Sequence, residues 1–485
     1  MSETRALAWN TGIQIIGKII STAIGVVIVG LMTRYLGQVG FGEYSTANAY
    51  LQIFALLLDL GLNVTLTALL GEHANDPAFE RRCISALFTL RFVLAAVVIV
   101  FVAPAIALFF PYSPTLKLAI IALTGSFFFP ALTQIATGVQ QRHLKMQITA
   151  IGEVAGRVIL LIGLLFAISE HFGLIPVVLF VSFGSFANFL LNVIFTKAYG
   201  VFRWNWDPAF WRLALKRSWP IGLSIAFNLI YYKADTFILS LVRSQAEVGL
   251  YGAAYRVLDI LVTVPFMYAG VMLPLLSKHW AASAKESFMR LLAQSVNVMF
   301  LLVTPMVAGT LVLGRPIMSV IAGSDFAVSG DVLKILILAV GAIYINTVFA
   351  HAVVALDAQR KMLPVYISVA LVTLAGYLVF IPRYGMWAAA WLTLFSESAV
   401  LLGSFFVTRS FVRIHYKSRV PFAAIGASVI MAAAVSLLEH YWLPIPILAG
   451  AVIYTAGVFL FGGITKETLK EILTIRKTTE ITPLP

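Results

Sequence analysis

Lys233 and Asp235 stand two residues apart near the middle of an apolar stretch, 218–242, long enough to cross a bilayer, with Asn228 one to two turns before them. A charge at bilayer depth costs at least a few kcal/mol, so such residues face a bundle interior or a wet cavity and mark a transport path. Two apart on a helix, Lys233 and Asp235 point to nearly opposite sides and cannot satisfy each other. Each needs a partner from elsewhere in the fold or from a cargo.

Other apolar stretches carry more such groups. Lys18 lies close to mid-bilayer with no acidic residue one turn away; its partner comes from another helix, from water or from a bound molecule. Asp59, in a second stretch, could be that partner or a protonatable coupling group. Arg91 lies about two turns into a third. Glu153 and Arg157, four apart, share a helix face and are expected to form a structural pair, and Arg256 and Asp259, three apart, can pair or leave the guanidinium fork to grip an anion bidentately. Glu397, between Ser396 and Ser398, is a further candidate for protonation. Asn48, Asn228, Asn297 and Asn346 could bind sugar hydroxyls or act as glue between helices. Tyr231, Tyr232, Tyr255 and Trp387 could stack on sugar rings or simply pack. The buried set leans cationic, Lys18, Arg91, Lys233 and Arg256 against Asp59, Asp235, Asp259 and Glu397, which suits an anionic cargo.

Chemistry of other kinds has no foothold. There is no Walker loop, no G-x-G-x-x-G, no H-E-x-x-H, no C-x-x-C and no G-x-S-x-G, so neither an enzyme nor a nucleotide-driven pump is expected, and no cofactor or metal. The single cysteine, Cys83, excludes an internal disulfide and a Cys-rich metal site.

The elements that must position these groups follow from composition. With 485 residues, 60% hydrophobic, 11% charged and a mean hydropathy of +0.94, the chain is an all-α polytopic membrane protein. At about 20 apolar residues per span, about fourteen helices are expected: 9–34, 44–70, 84–110, 116–139, 147–168, 174–196, 218–242, 250–276, 289–313, 331–355, 362–381, 385–408, 420–439 and 443–463. The apolar run from Thr11 to Thr33 exceeds a signal-peptide core and stays as the first span. Roughly two dozen Lys and Arg fall in one set of loops, from Arg5 through Arg81, Arg142, Arg360 and Arg409 to Lys477, against about five in the other. Both termini are therefore expected in the cytoplasm. This asymmetry accounts for most of the net charge of +13 without nucleic acid.

The chain also looks duplicated. Phe41-Gly42-Glu43-Tyr44-Ser45-Thr46-Ala47 is echoed by Val248-Gly249-Leu250-Tyr251-Gly252-Ala253-Ala254 about 207 residues on, Gln141-Arg142 falls opposite Gln359-Arg360, and Phe172-Gly173 opposite Tyr384-Gly385. Two pseudo-symmetric six-helix lobes, 1–197 and 218–408, are expected, joined by a linker, 198–217, in which Asp207 caps a short interfacial helix begun by Pro208. Two further helices, 409–463, and a cytoplasmic tail, 464–485, complete the chain. Halves of this kind build alternating-access carriers, and the short outer loops disfavour a glycosyltransferase or polymerase.

Arg34-Tyr35-Leu36-Gly37-Gln38-Val39-Gly40-Phe41-Gly42-Glu43-Tyr44, Asp59-Leu60-Gly61-Leu62, Lys233-Ala234-Asp235-Thr236, Val248 to Arg256 and Ile381-Pro382-Arg383-Tyr384-Gly385 with Ala388-Ala389-Ala390 resemble the polysaccharide-transporter family of lipid-linked oligosaccharide flippases. That family lies within the superfamily holding multidrug and toxin extrusion carriers and lipid II flippases. Trp387 departs from the family, which more often has glycine there. The resemblance implies a prokaryotic inner-membrane protein with a V-shaped central cavity that moves an undecaprenyl-pyrophosphate-linked repeat unit of O-antigen, capsule or exopolysaccharide, with a polysaccharide polymerase and chain-length machinery as candidate partners. Lys18, Arg91, Lys233 and Arg256 would neutralise the pyrophosphate, and Asp59, Asp235 or Glu397 could couple ion antiport. The alternatives are an ion-coupled drug or metabolite exporter, or a lipid II flippase, on the same fold.

Overall fold

The structure, a computed structural model, describes residues 3–59, 62, 65–66, 69, 72, 76–200, 202–412 and 419–463, without side chains at 3–11, 15, 56–57, 59 and 219–233. Among the described residues there are helices and turns and no strand. In chain order the helices are α1 (Glu3–Asp59), α2 (Pro77–Ala107), α3 (Pro114–Arg142), α4 (Gln147–Ser169), α5 (Leu174–Thr196), α6 (Pro208–Val242) and α7 (Gln245–Ala281). They continue with α8 (Lys285–Ala322), α9 (Ser329–Ala355), α10 (Gln359–Tyr384), α11 (Met386–Phe411), α12 (Val420–Ser436) and α13 (Pro444–Leu460). Ten helical stretches among the described residues are long and apolar enough to cross a membrane, and α12 and α13 are shorter apolar helices.

Two boundaries differ from the sequence reading. The first and second spans form one element, α1, bent at Gly37, whose φ of 65° is open to glycine at little cost; one residue does the work of the expected loop. The helix capped by Asp207 does not stop at the membrane interface either, but runs unbroken from Pro208 to Val242. Its first turns lie on α2, with Phe210 and Ala214 buried against Cys83, Ile84, Leu87 and Leu90, and Trp211 Nε1 donating to the Ala86 carbonyl at 2.8 Å. Trp204 and Trp206, just before the cap, are 66% and 68% exposed.

Asp207 fastens this junction twice. One carboxylate oxygen accepts from Phe210 N at 3.0 Å, and the other from Arg82 of α2 at 2.7 Å. The backbone donor, aided by the Arg82 guanidinium, holds the carboxyl below the usual aspartate range. A lowered folded-state value means the stabilisation is complete above the unfolded aspartate's pKa, about 3.9, and is lost as pH falls through the folded value. Asp207→Ala is expected to lower stability by about 1 kcal/mol near neutral pH, read by thermal unfolding in detergent. The gap from the unaltered protein should close below about pH 3.9.

Prolines and turns explain the remaining local geometry. Ahead of Pro104 the backbone of α2 widens into a π turn over Ala96–Val102, which absorbs the proline without breaking the helix. Leu144, Ser283 and Asp357 take left-handed φ values of 52°, 54° and 53°, each just past a helix end beside a basic loop. Leu144 follows α3 and Asp357 follows α9, so these turns are repeat mates. Gln141-Arg142 closes α3 before its turn, however, whereas Gln359-Arg360 opens α10 after its own. That sequence match is out of register with the helices.

By packing the chain forms two compact units. One comprises Met1–Arg256, Ile321–Phe326 and Tyr366–Thr393; the other Val257–Val320, Ala327–Val365 and Leu394–Pro485. In the first, α4 and α5 meet at Gly156 and Gly184, where a Cβ on either would come within 2.7 Å of the other's carbonyl oxygen. In the second, Tyr454 of α13 donates to the Leu301 carbonyl of α8 at 2.7 Å, and Asp331 of α9 accepts ion pairs from Arg315 and Lys334 at 2.6 and 3.3 Å.

Candidate functional site

Helices α1 and α4 run side by side in parallel register. A Cβ on Gly17 would meet Ala150 at 2.7 Å, Ser21 Oγ donates to Glu153 Oε1 at 2.9 Å, a Cβ on Gly25 would lie 3.0 Å from Arg157 Nη1, and Tyr35 OH donates to the Ala167 carbonyl at 3.2 Å. Steps of about four on one helix match steps of three or four on the other, as parallel neighbours of equal pitch require. Within this seam Lys18 Nζ pairs with Glu153 Oε1 at 2.9 Å, their side chains 42% and 27% exposed. The lysine's partner is therefore a carboxylate 135 residues away. The expected Glu153–Arg157 pair does not form, because Lys18 and Ser21 both converge on that carboxylate. Among the described residues no carboxylate pairs with Arg157.

The other cations divide. Arg91 is 1% exposed, its Nε donating to the Ala131 carbonyl at 3.1 Å and its terminal nitrogen to Gln134 Oε1. It ties α2 to α3 through these two acceptors. Arg256 places its guanidinium 5.8 Å over the Tyr44 ring and 3.4 Å from its hydroxyl. The side chains of Lys233, Asn228 and Asp59 lie outside the described residues.

Asp235 is fully buried. One carboxylate oxygen accepts from the Tyr251 hydroxyl of α7 and, at 3.4 Å, from Thr393 Oγ1 of α11, while the other accepts from Thr236 N and, at 3.2 Å, from Thr236 Oγ1. Three helices of one unit thus meet on a single carboxylate. Tyr251 was legible only as the repeat mate of Tyr44, and nothing in the sequence marked Thr393. Glu397, one turn beyond Thr393 on α11, is 5% exposed. Asn48 and Asn297 are half-buried, and Asn346 Oδ1 is buried with no hydrogen-bond partner among the described residues.

The duplicated motif turns out to touch itself. A Cβ on Gly42 would lie 1.7 Å from the Gln245 carbonyl oxygen and one on Gly249 2.1 Å from that of Gln38, each also 3.1 Å from the other glycine's nitrogen. Positions 38 and 245, 42 and 249, and 45 and 252 are equivalent in the repeat, so α1 crosses α7 through matching residues of its two copies. Thr46 Oγ1 fastens the crossing by donating to Gln245 Oε1 at 2.7 Å.

Comparison with known proteins follows this geometry. A family model described as polysaccharide biosynthesis protein matches residues 7–280. The chain is 24% identical over 260 residues to a Haloferax volcanii protein named "Probable flippase AglR", covering 53% of this chain and 52% of that one. It spans about half the length, or less, of the curated relatives it matches. Among solved structures it is similar to lipid II flippase MurJ in an inward closed conformation, with a TM-score of 0.76, 16% identity and coverage of 92% of this chain and 98% of that one. It is also similar to a multidrug resistance MATE family transporter in an inward-facing conformation, with a TM-score of 0.70, 13% identity and coverage of 83% and 98%. At these identities the likeness is one of fold.

Proposed function

Because the chain belongs to the polysaccharide biosynthesis protein family, matched over more than half its length, and is a multi-pass helical membrane protein, we propose that it is a flippase moving a lipid-linked oligosaccharide between membrane leaflets. The family match is the observation that carries this reading. The fold shared with a flippase and a drug exporter supports carriage by alternating access without chemistry on the cargo. The cargo would be an undecaprenyl-pyrophosphate-linked repeat unit, and the basic loops would face the cytoplasm of a prokaryotic inner membrane. An interior negative by about 100 mV then favours outward movement of each net negative charge by about 2.3 kcal/mol. Lys233 and Arg256 would meet the anionic group, and Asn48, Asn228, Asn297 and Asn346 the sugars. Asp59, Asp235 and Glu397 are the groups proposed to couple a cation.

One observation favours a second reading. An exporter of drugs or metabolites expects Lys18 to be paired, and it is paired with Glu153. Vesicles carrying the purified protein and an NBD-labelled undecaprenyl-pyrophosphate saccharide separate the two, with dithionite reporting the exposed leaflet. The flippase reading expects the labelled lipid to change leaflet faster than in protein-free vesicles, and faster again under an imposed potential. Expulsion of a cationic dye with no movement of the lipid would establish the exporter instead.

A further inference from the structure

Arg157 stands eleven residues into the 23-residue helix α4, about 15 Å from its first residue at 1.5 Å per residue and so near the middle of a hydrocarbon core about 30 Å thick. From that depth an arginine stem is too short to carry its charge to either interface. The guanidinium turns inward: its Nη1 lies where a side chain at Gly25 of α1 would begin, at 3.0 Å from that Cβ position. The glycine makes the space the guanidinium fills. The carboxylate one turn back on its own helix, Glu153, is occupied by Lys18 and Ser21, and Arg157 has no hydrogen bond or ion pair among the described residues. Charged side chains held at bilayer depth face a bundle interior or a water-filled path and mark where a charged cargo passes.

We propose that Arg157, seated in the notch at Gly25, is a binding residue for the pyrophosphate of the lipid-linked cargo, and that Lys18 and Glu153 neutralise each other to leave it as the cation of the α1–α4 seam. The assignment rests on the flippase reading. A guanidinium presents a planar fork that meets two phosphate oxygens at once, which an ammonium cannot do. The Lys18–Glu153 pair serves a second purpose, since an unpaired Glu153 on the same face would compete with the cargo for Arg157.

The test uses the full chain in nanodiscs, with binding of undecaprenyl pyrophosphate and of phosphate-free undecaprenol measured by native mass spectrometry. The unaltered protein should bind the pyrophosphate lipid at least tenfold more tightly than undecaprenol. Arg157→Gln should lose most of that tenfold preference with undecaprenol binding unchanged, and Arg157→Lys should keep part of it. Gly25→Val, which crowds the guanidinium without removing it, should also weaken the pyrophosphate lipid selectively, and serves if Arg157→Gln fails to fold. Pyrophosphate binding by Arg157→Gln and Gly25→Val within twofold of the unaltered protein would overturn the assignment while leaving the flippase reading intact, as would equal losses for both lipids. No preference in the unaltered protein would remove both.

Discussion

Asp235→Ala is expected to destabilise the protein by about 1–3 kcal/mol, the cost of a buried donor left without its acceptor, since the Tyr251 hydroxyl loses the carboxylate it donates to. Asp235→Asn should behave differently. The amide keeps an oxygen for Tyr251 and nearly the same volume, so thermal unfolding should show a loss of about 1 kcal/mol, the scale of one hydrogen bond, while lipid transfer falls at least tenfold. The two substitutions separate a packing role from a charge role. If the carboxylate only fastens α6, α7 and α11, Asp235→Asn transfers lipid at close to the normal rate and the coupling proposal for this residue fails. If it carries a cation, residual transfer in Asp235→Asn should no longer respond to an imposed proton or sodium gradient. Glu397→Gln makes the comparison on a second candidate, one turn along α11 and in the other packing unit; retention of the gradient response there would leave Asp235 and Asp59 as the coupling candidates.

What the sequence revealed and what it hid divide along the range of the interactions. Span positions were legible because apolar length is a local property, and the cap at Asp207 because a cap involves residues within one turn. The continuity of α6 past the interface was not, since packing of Phe210 and Ala214 on α2 decides how that segment lies. Charges at depth were recognised one by one, yet spacing could assign partners only along one helix. Spacing joins Glu153 to Arg157; the register of α1 on α4 supplies a lysine and a hydroxyl to the same carboxylate and wins. The consequence is that Lys18, not Arg157, pairs with Glu153. The partners of Arg91 were hidden in the same way, because the acceptors at Ala131 and Gln134 belong to a neighbouring helix that no pattern within α2 discloses.

The duplicated motif shows the same limit and leads to the other large effect. Recurrence of Gly, Tyr and Ala showed that the halves are related, but not that the two glycines lie against each other. Gly42→Ala and Gly249→Ala are each expected to destabilise this crossing by about 3 kcal/mol or more, the upper part of the range for overpacking, because the added methyls would lie 1.7 and 2.1 Å from backbone oxygens, which cannot rotate away as a side chain can. Helices α1 and α7 must separate to admit either methyl. Once they have separated for the first, room for the second already exists, since the two obstructions sit at one crossing and are related by the repeat. The double variant should therefore cost clearly less than the sum of the singles, with a coupling of about 1–3 kcal/mol in a double-mutant cycle read by thermal unfolding. Strict additivity would mean that each methyl is accommodated by local bending of its own helix and that the crossing is not a shared contact. Gly12→Ala is the control on α1, where nothing lies within 4 Å of the new atom, and it should leave stability unchanged or slightly raised, as alanine favours the helix over glycine by about 1 kcal/mol.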